Sequence, residues 1–139
     1  MNRHQARKLA FQMIYAMDFQ QDTPLAELYA ASVTDRGITE ELDYLSDVFY
    51  NVCGQLSQLD ELISAHLKQG WKLTRLSKVT HAILRLATYE MLSVADVPFP
   101  VAISEAVQIA KEYDEESAPA FINGVLNGIA ETKGLKTQA

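Results

Sequence analysis

Arg3, Arg7 and Lys8 near the start, and Lys68, Lys72, Arg75, Lys78 and Arg85 further along, are the residues whose type and spacing could do chemistry. That chemistry is ionic. These eight of the 12 Lys and Arg lie in two stretches, 3–17 and 62–89, that hold no Asp or Glu, while all 18 acidic residues fall elsewhere and leave a formal net charge of −6. Such a chain repels polyanions broadly and can present a local positive face to one, which suits a selective nucleic-acid contact. Plain solvated helix faces give the same charge pattern. Cations spaced along one helix can follow phosphates, and an aromatic such as Tyr15 or Phe121 offers a stacking face to an unstacked base. At helical spacing both rings also suit a core.

Other chemistries find no footing. His4, His66 and His81 show no metal-ligand spacing, and the lone Cys53, set in a helical pattern that suits a buried thiol, excludes a cysteine-based zinc pattern. There is no glycine-rich phosphate loop; Gly124 and Gly128, four apart, read as close helix–helix packing. No carboxylates form a distinctive acid–base pair, and Glu90 and Glu105 are expected to neutralise a partly buried Arg85. No catalytic residue, metal or cofactor is therefore expected.

The elements that must position these residues are helical. Ala6, Leu9, Ala10, Met13, Ile14 and Met17 follow a spacing of three and four, so 3–18 reads as one amphipathic helix with Arg3 and Arg7 on one side, expected exposed. Thr23 and Pro24 read as an N-cap and first-turn proline of a short helix ending before Gly37. Thr39 reads as the cap of a long helical stretch to Leu67; Gly54 and the Ser57–Asp60 capping-box pattern leave open one bent helix or two. Ser77 can cap a central helix to about Val94 that is apolar on most sides. Val97 to Pro100 reads as extended, with a helix from Val101 to Tyr113. Ser117 and Pro119 start a last helix that Gly134 ends. The class is all-α, six or seven helices, and 139 residues at 48% hydrophobic content support one domain over 1–139 with room for two sub-bundles. No apolar run spans a membrane and the start lacks a secretory pattern, so a cytosolic protein is expected.

Four blocks stand out: Arg3 to Tyr15 (Arg-x-x-Ala-Arg-x-x-Ala-x-Gln-x-x-Tyr), Ile83-Leu84-Arg85-Leu86-Ala87-Thr88-Tyr89-Glu90, Val97-Pro98 with Val101-Ala102-Ile103-Ser104-Glu105-Ala106, and Phe121-Ile122-Asn123-Gly124-Val125-Leu126. They resemble the NusB family of bacterial transcription antitermination factors. They occur in family order and spacing across nearly the whole chain. The resemblance implies an all-helical fold of two packed sub-bundles and no enzymatic activity. It also implies binding of boxA, a short single-stranded RNA element of ribosomal transcripts, jointly with NusE, a small-subunit ribosomal protein, in a complex with RNA polymerase, NusA and NusG. By position, Arg3, Arg7 and Tyr15 match the family's N-terminal RNA-binding motif, and Phe121 and Asn123 match the start of the last helix beside it. His4 and Lys8 complete the candidate RNA-binding set.

The chain also departs from the family pattern. Asn2, His4 and Gln5 dilute the arginine cluster, Thr80 stands where an acidic residue is common, and Ser104 replaces a frequent asparagine. Two other readings fit the sequence: the NusB-like front domain of an rRNA cytosine methyltransferase, which needs an α/β cofactor domain, and a helical adaptor that binds protein alone.

Overall fold

Among the described residues, apolar side chains at spacings of three and four place seven α-helices, and no strand forms. The computed structural model describes residues 1–135. The chain divides into two units, Met1–Gln55 and the residues from Leu56 onward.

The first unit holds α1 (Arg3–Met17), α2 (Leu25–Tyr29), which runs into a π-helical turn (Ala30–Thr34), and α3 (Leu42–Gly54). α1 packs on α3. Ile14 of α1 and Leu45, Val48, Phe49 and Val52 of α3 are fully buried. Each such side chain contributes roughly 1.5–3 kcal/mol through burial. Two starts differ from the sequence reading. Pro24 rather than Thr23 is the N-cap of α2, a shift of one residue. Thr39 does not cap α3: the chain turns through Gly37 (φ 70) and enters the helix only after Glu41, held left-handed at φ 59.

The second unit holds α4 (Leu56–Ser64), a 3-10 turn (Leu73–Arg75), α5 (Lys78–Ser93), α6 (Phe99–Tyr113) and α7 (Ala118–Thr132). Gln55 alone interrupts the long stretch, so it forms two helices, and Ser57 lies inside α4 rather than capping it. α5 is the centre, packed against α4, α6 and α7. Every residue from Thr80 to Met91 is consequently buried, as its all-round apolar pattern requires. Ser77 does cap it, accepting the Thr80 N–H at 3.0 Å. α6 starts two residues earlier than read, at Phe99, with Pro98 as its extended N-cap. Pro100 then falls in the first turn, where a missing N–H costs nothing. Gly134 (φ 73) follows α7 in the left-handed conformation that closes helix C-termini.

Candidate nucleic-acid interface

The start of α1 is built by two residues that the sequence counted only as diluting the arginines. The Asn2 side chain accepts the Gln5 N–H at 2.8 Å and the Gln5 side chain accepts the Asn2 N–H at 2.9 Å, a reciprocal capping box. This fixes the first turn and so the direction in which Arg3 leaves the helix. The Arg3 Nε donates to the Glu41 carboxylate at 2.8 Å, and its guanidinium lies 4.4 Å from the centre of the Tyr44 ring. One turn on, the Arg7 guanidinium approaches the same ring at 5.7 Å. The N-terminal ammonium of Met1 bonds Glu40 at 3.0 Å, so α3's leading acids anchor the α1 start.

Arg3 and Arg7 are therefore brought together, but not as equals. Arg3 is half-buried, whereas Arg7 is 4% exposed, which corrects the expectation that both are surface cations. Its guanidinium lies within cation–π range of the Tyr44 ring. His4 is exposed and Lys8 half-buried. Tyr15 is half-buried, with Phe11 at 6.3 Å and Phe19 at 5.0 Å in an edge-to-face pair. Phe19 is 59% exposed, so this end of α1 shows an aromatic surface to water. Glu41, Tyr44 and Phe19 were missed. The first two lack a local signal because they meet Arg3 from some 40 residues away, while Phe19 is legible as the i+4 neighbour of Tyr15.

The remaining two candidates belong to the second unit. Phe121 is half-buried in the first turn of α7, its ring 6.2 Å from that of Trp71 and tilted by 34°. Asn123 is exposed and its backbone carbonyl accepts the Asn127 amide at 2.9 Å. Of the second cationic window, Lys68, Lys72, Arg75 and Lys78 are exposed. Arg85 is not part of that face. It is buried and clasps Asp60 of α4 through Nε at 2.8 Å and a terminal nitrogen at 2.7 Å. Asp60 is thus a partner of Arg85 that the sequence reading, which named Glu90 or Glu105, did not include. His81 Nε2 bonds the same carboxylate at 2.7 Å. Partial burial pushes the Asp60 pKa upward, but the hydrogen bonds from Arg85 and His81, with their charges, outweigh it and hold it down at about 2.

Thr80 is buried and donates its hydroxyl proton to Asp114. Asp114 in turn accepts the Glu115 N–H at 2.8 Å, which orders the acidic turn before α7. Among the described residues no group of His, Cys, Asp and Glu is placed to hold a metal, and no helix is long and apolar enough to cross a membrane.

Comparison with known proteins meets the same helical order. The model of the NusB family matches residues 4–131. The transcription antitermination protein NusB of Carboxydothermus hydrogenoformans is 41% identical over 136 residues, covering 94% of each chain. That of Enterococcus faecalis is 37% identical over 137 residues, covering 93% of this chain and 89% of its own. The solved structure of T. maritima NusB matches with a TM-score of 0.86 at 34% identity, over 94% of this chain and 92% of that one. A chain from the crystal structure of antitermination factors NusB and NusE in complex with dsRNA matches with a TM-score of 0.81 at 26% identity, over 95% of this chain and 99% of its own. Sequence likeness and fold agree over nearly the full length, and the chain belongs to the NusB family.

Proposed function

We propose that this chain is a transcription antitermination factor that binds boxA-type single-stranded RNA together with NusE. It would act in the cytoplasm within a complex of RNA polymerase, NusA and NusG, by affinity and placement rather than by catalysis. The observation that carries this reading is the capped start of α1, where Arg3 and Arg7 converge on the Tyr44 ring in a stretch free of acids. The relative crystallised with NusE and RNA supports it.

Within this reading the candidate residues take separate roles. Arg3, His4 and Lys8 would meet phosphates, since none of the three is fully buried; Arg3 must then share or exchange Glu41 for a phosphate oxygen. Arg7 is a positioning residue that holds the Tyr44 face against α1. Tyr15, with Phe19 beside it, and Phe121 would offer stacking surfaces, and Asn123 a polar contact to a base edge or sugar.

The test is a filter-binding titration of single-stranded boxA-type RNA and a duplex of the same sequence, each with and without NusE. Tighter binding of the single strand, strengthened by NusE, is the expected result. Binding of NusE with no RNA affinity in either state would replace this reading with a protein-only adaptor.

A further inference from the structure

We infer that Glu41 is a built-in competitor for RNA: its carboxylate occupies Arg3 as a phosphate oxygen would, and a strand gains Arg3 only by displacing it. This deepens, and rests on, the RNA-binding reading above. The Arg3 Nε donates to Glu41 Oε2 at 2.8 Å, and the two side chains are 37% and 24% exposed. The contact is short enough for a charge-assisted bond and open enough to water for another anion to exchange into it. A guanidinium binds carboxylate and phosphate oxygens through the same N–H groups. The Tyr44 ring, 4.4 Å from the Arg3 guanidinium, can stay in place whichever anion is bound.

The backbone is bent to make this contact. Glu41 takes φ 59, the sole positive φ at a residue other than glycine among the described residues. A side chain there brings Cβ against the following carbonyl oxygen, and only glycine, asparagine or aspartate adopts that conformation routinely. The strain does not serve the helix that follows, because the Glu41 side chain makes no cap hydrogen bond to α3. Its side-chain partner is Arg3, 38 residues away in the chain. A strained residue whose side chain reaches across to one cation is held for that cation. Charge then gives the consequence. The acid-free stretch 3–17 offers Arg3, Arg7 and Lys8 by residue type, but Glu41 neutralises the first and Arg7 is buried. The unliganded start of α1 therefore shows less positive charge than its residue types imply, and a polyanion offering phosphates alone meets a weakened attraction. A strand that also stacks its bases can displace the carboxylate.

The test measures anisotropy of labelled single-stranded RNA, one strand of boxA type and one of unrelated sequence, on the full chain. Glu41→Gln keeps the shape and an oxygen for Arg3 but removes the charge. Both strands should bind up to about fivefold tighter, the equivalent of one solvent-accessible ion pair, and by a common factor because the same bond is broken in each. The gain should vanish in an Arg3→Gln background, the non-additivity that marks a direct pair. Glu40→Gln makes the same charge change at a carboxylate that bonds Met1, so any effect it has should not depend on Arg3. Glu41→Gly accepts the left-handed backbone and should reproduce Glu41→Gln, which keeps the test decisive if the glutamine variant folds poorly. Unchanged or weaker RNA binding by both Glu41 variants, with wild-type circular dichroism melts, would overturn the competitor and make Glu41 a structural anchor of Arg3. A gain that persists without Arg3 would overturn it in favour of a general charge effect. If neither the wild-type chain nor Glu41→Gln binds RNA, with or without NusE, the underlying reading falls and the competitor with it.

Discussion

Arg3 and Arg7 share one tyrosine face, yet their burial gives them different expected effects. Arg3→Gln removes an ion pair that is open to water, which changes stability by at most about 1 kcal/mol, so RNA affinity should fall while the melt holds. Arg7→Glu places a negative charge where a buried cation sits and should cost roughly 3–5 kcal/mol. Denaturant titrations run beside RNA binding separate the two; an Arg3→Gln protein with wild-type RNA affinity would move the site away from α1. Asp60 gives a pH signature. Its carboxyl is held at about 2, below the ordinary 3.8, so its contribution to stability is complete above the higher value and is lost as pH falls through the lower one. Asp60→Asn should flatten the acid limb of a stability–pH profile in that window. It should also destabilise at neutral pH, because Arg85 loses the carboxylate it clasps. Thr88 offers the opposite sign: its hydroxyl is buried with no hydrogen-bond partner among the described residues. Thr88→Val should therefore raise stability by about 1 kcal/mol in thermal melts. The cations and rings of the candidate site were legible in the sequence, but their partners were not. Arg85 finds Asp60 at a separation of 25 residues and Arg3 finds Glu41 at 38, beyond any local pattern, and the buried Arg7 likewise meets its ring, Tyr44, on the distant α3.

Helix existence, by contrast, was legible wherever a stripe or a cap acts locally. Ser77, Pro119 and Gly134 mark helix ends in the structure as in the sequence. Where the start depends on backbone geometry rather than side-chain type, reading fails: nothing about a glutamate announces the left-handed Glu41 before α3, and Phe99 begins α6 despite the proline that follows it. The two glycines of α7 show the same divide. Both were read as packing sites, but only Gly128 is close to a neighbour. A methyl there would meet His66 Cδ2 at 3.2 Å, while one at Gly124 would meet nothing within 4 Å. The His66 ring cannot easily give way. Nδ1 donates to the Leu62 carbonyl at 2.9 Å, leaving Nε2 to pair with the Thr132 hydroxyl at 2.8 Å. Gly124→Ala should therefore gain up to about 1 kcal/mol from helix propensity alone. Gly128→Ala should lose most or all of that gain to the clash, and equal gains in Tm for both variants would show that His66 relaxes freely.

For the molecule as a whole, a net charge of −6 means that RNA binding must draw on local cations against a repulsive background. If about three to five phosphates are neutralised, the slope of log K against log salt should lie near −2 to −3.5, from roughly −0.7 per phosphate on a single strand. A slope near zero would contradict a cationic face in either unit. NusE enters the same balance. The two acid-free cationic stretches are separate in sequence, so a partner that orders or extends either one should tighten RNA binding, and linkage requires RNA to tighten NusE binding by the same factor, typically about 5- to 150-fold. Calorimetric titrations in both orders, RNA into the chain with and without NusE and NusE into the chain with and without RNA, measure the two factors independently. Equal factors well above one establish a cooperative heterodimer. If both factors are one, with RNA bound equally well by this chain alone, the chain is a self-sufficient RNA-binding bundle and NusE does not contribute to its grip.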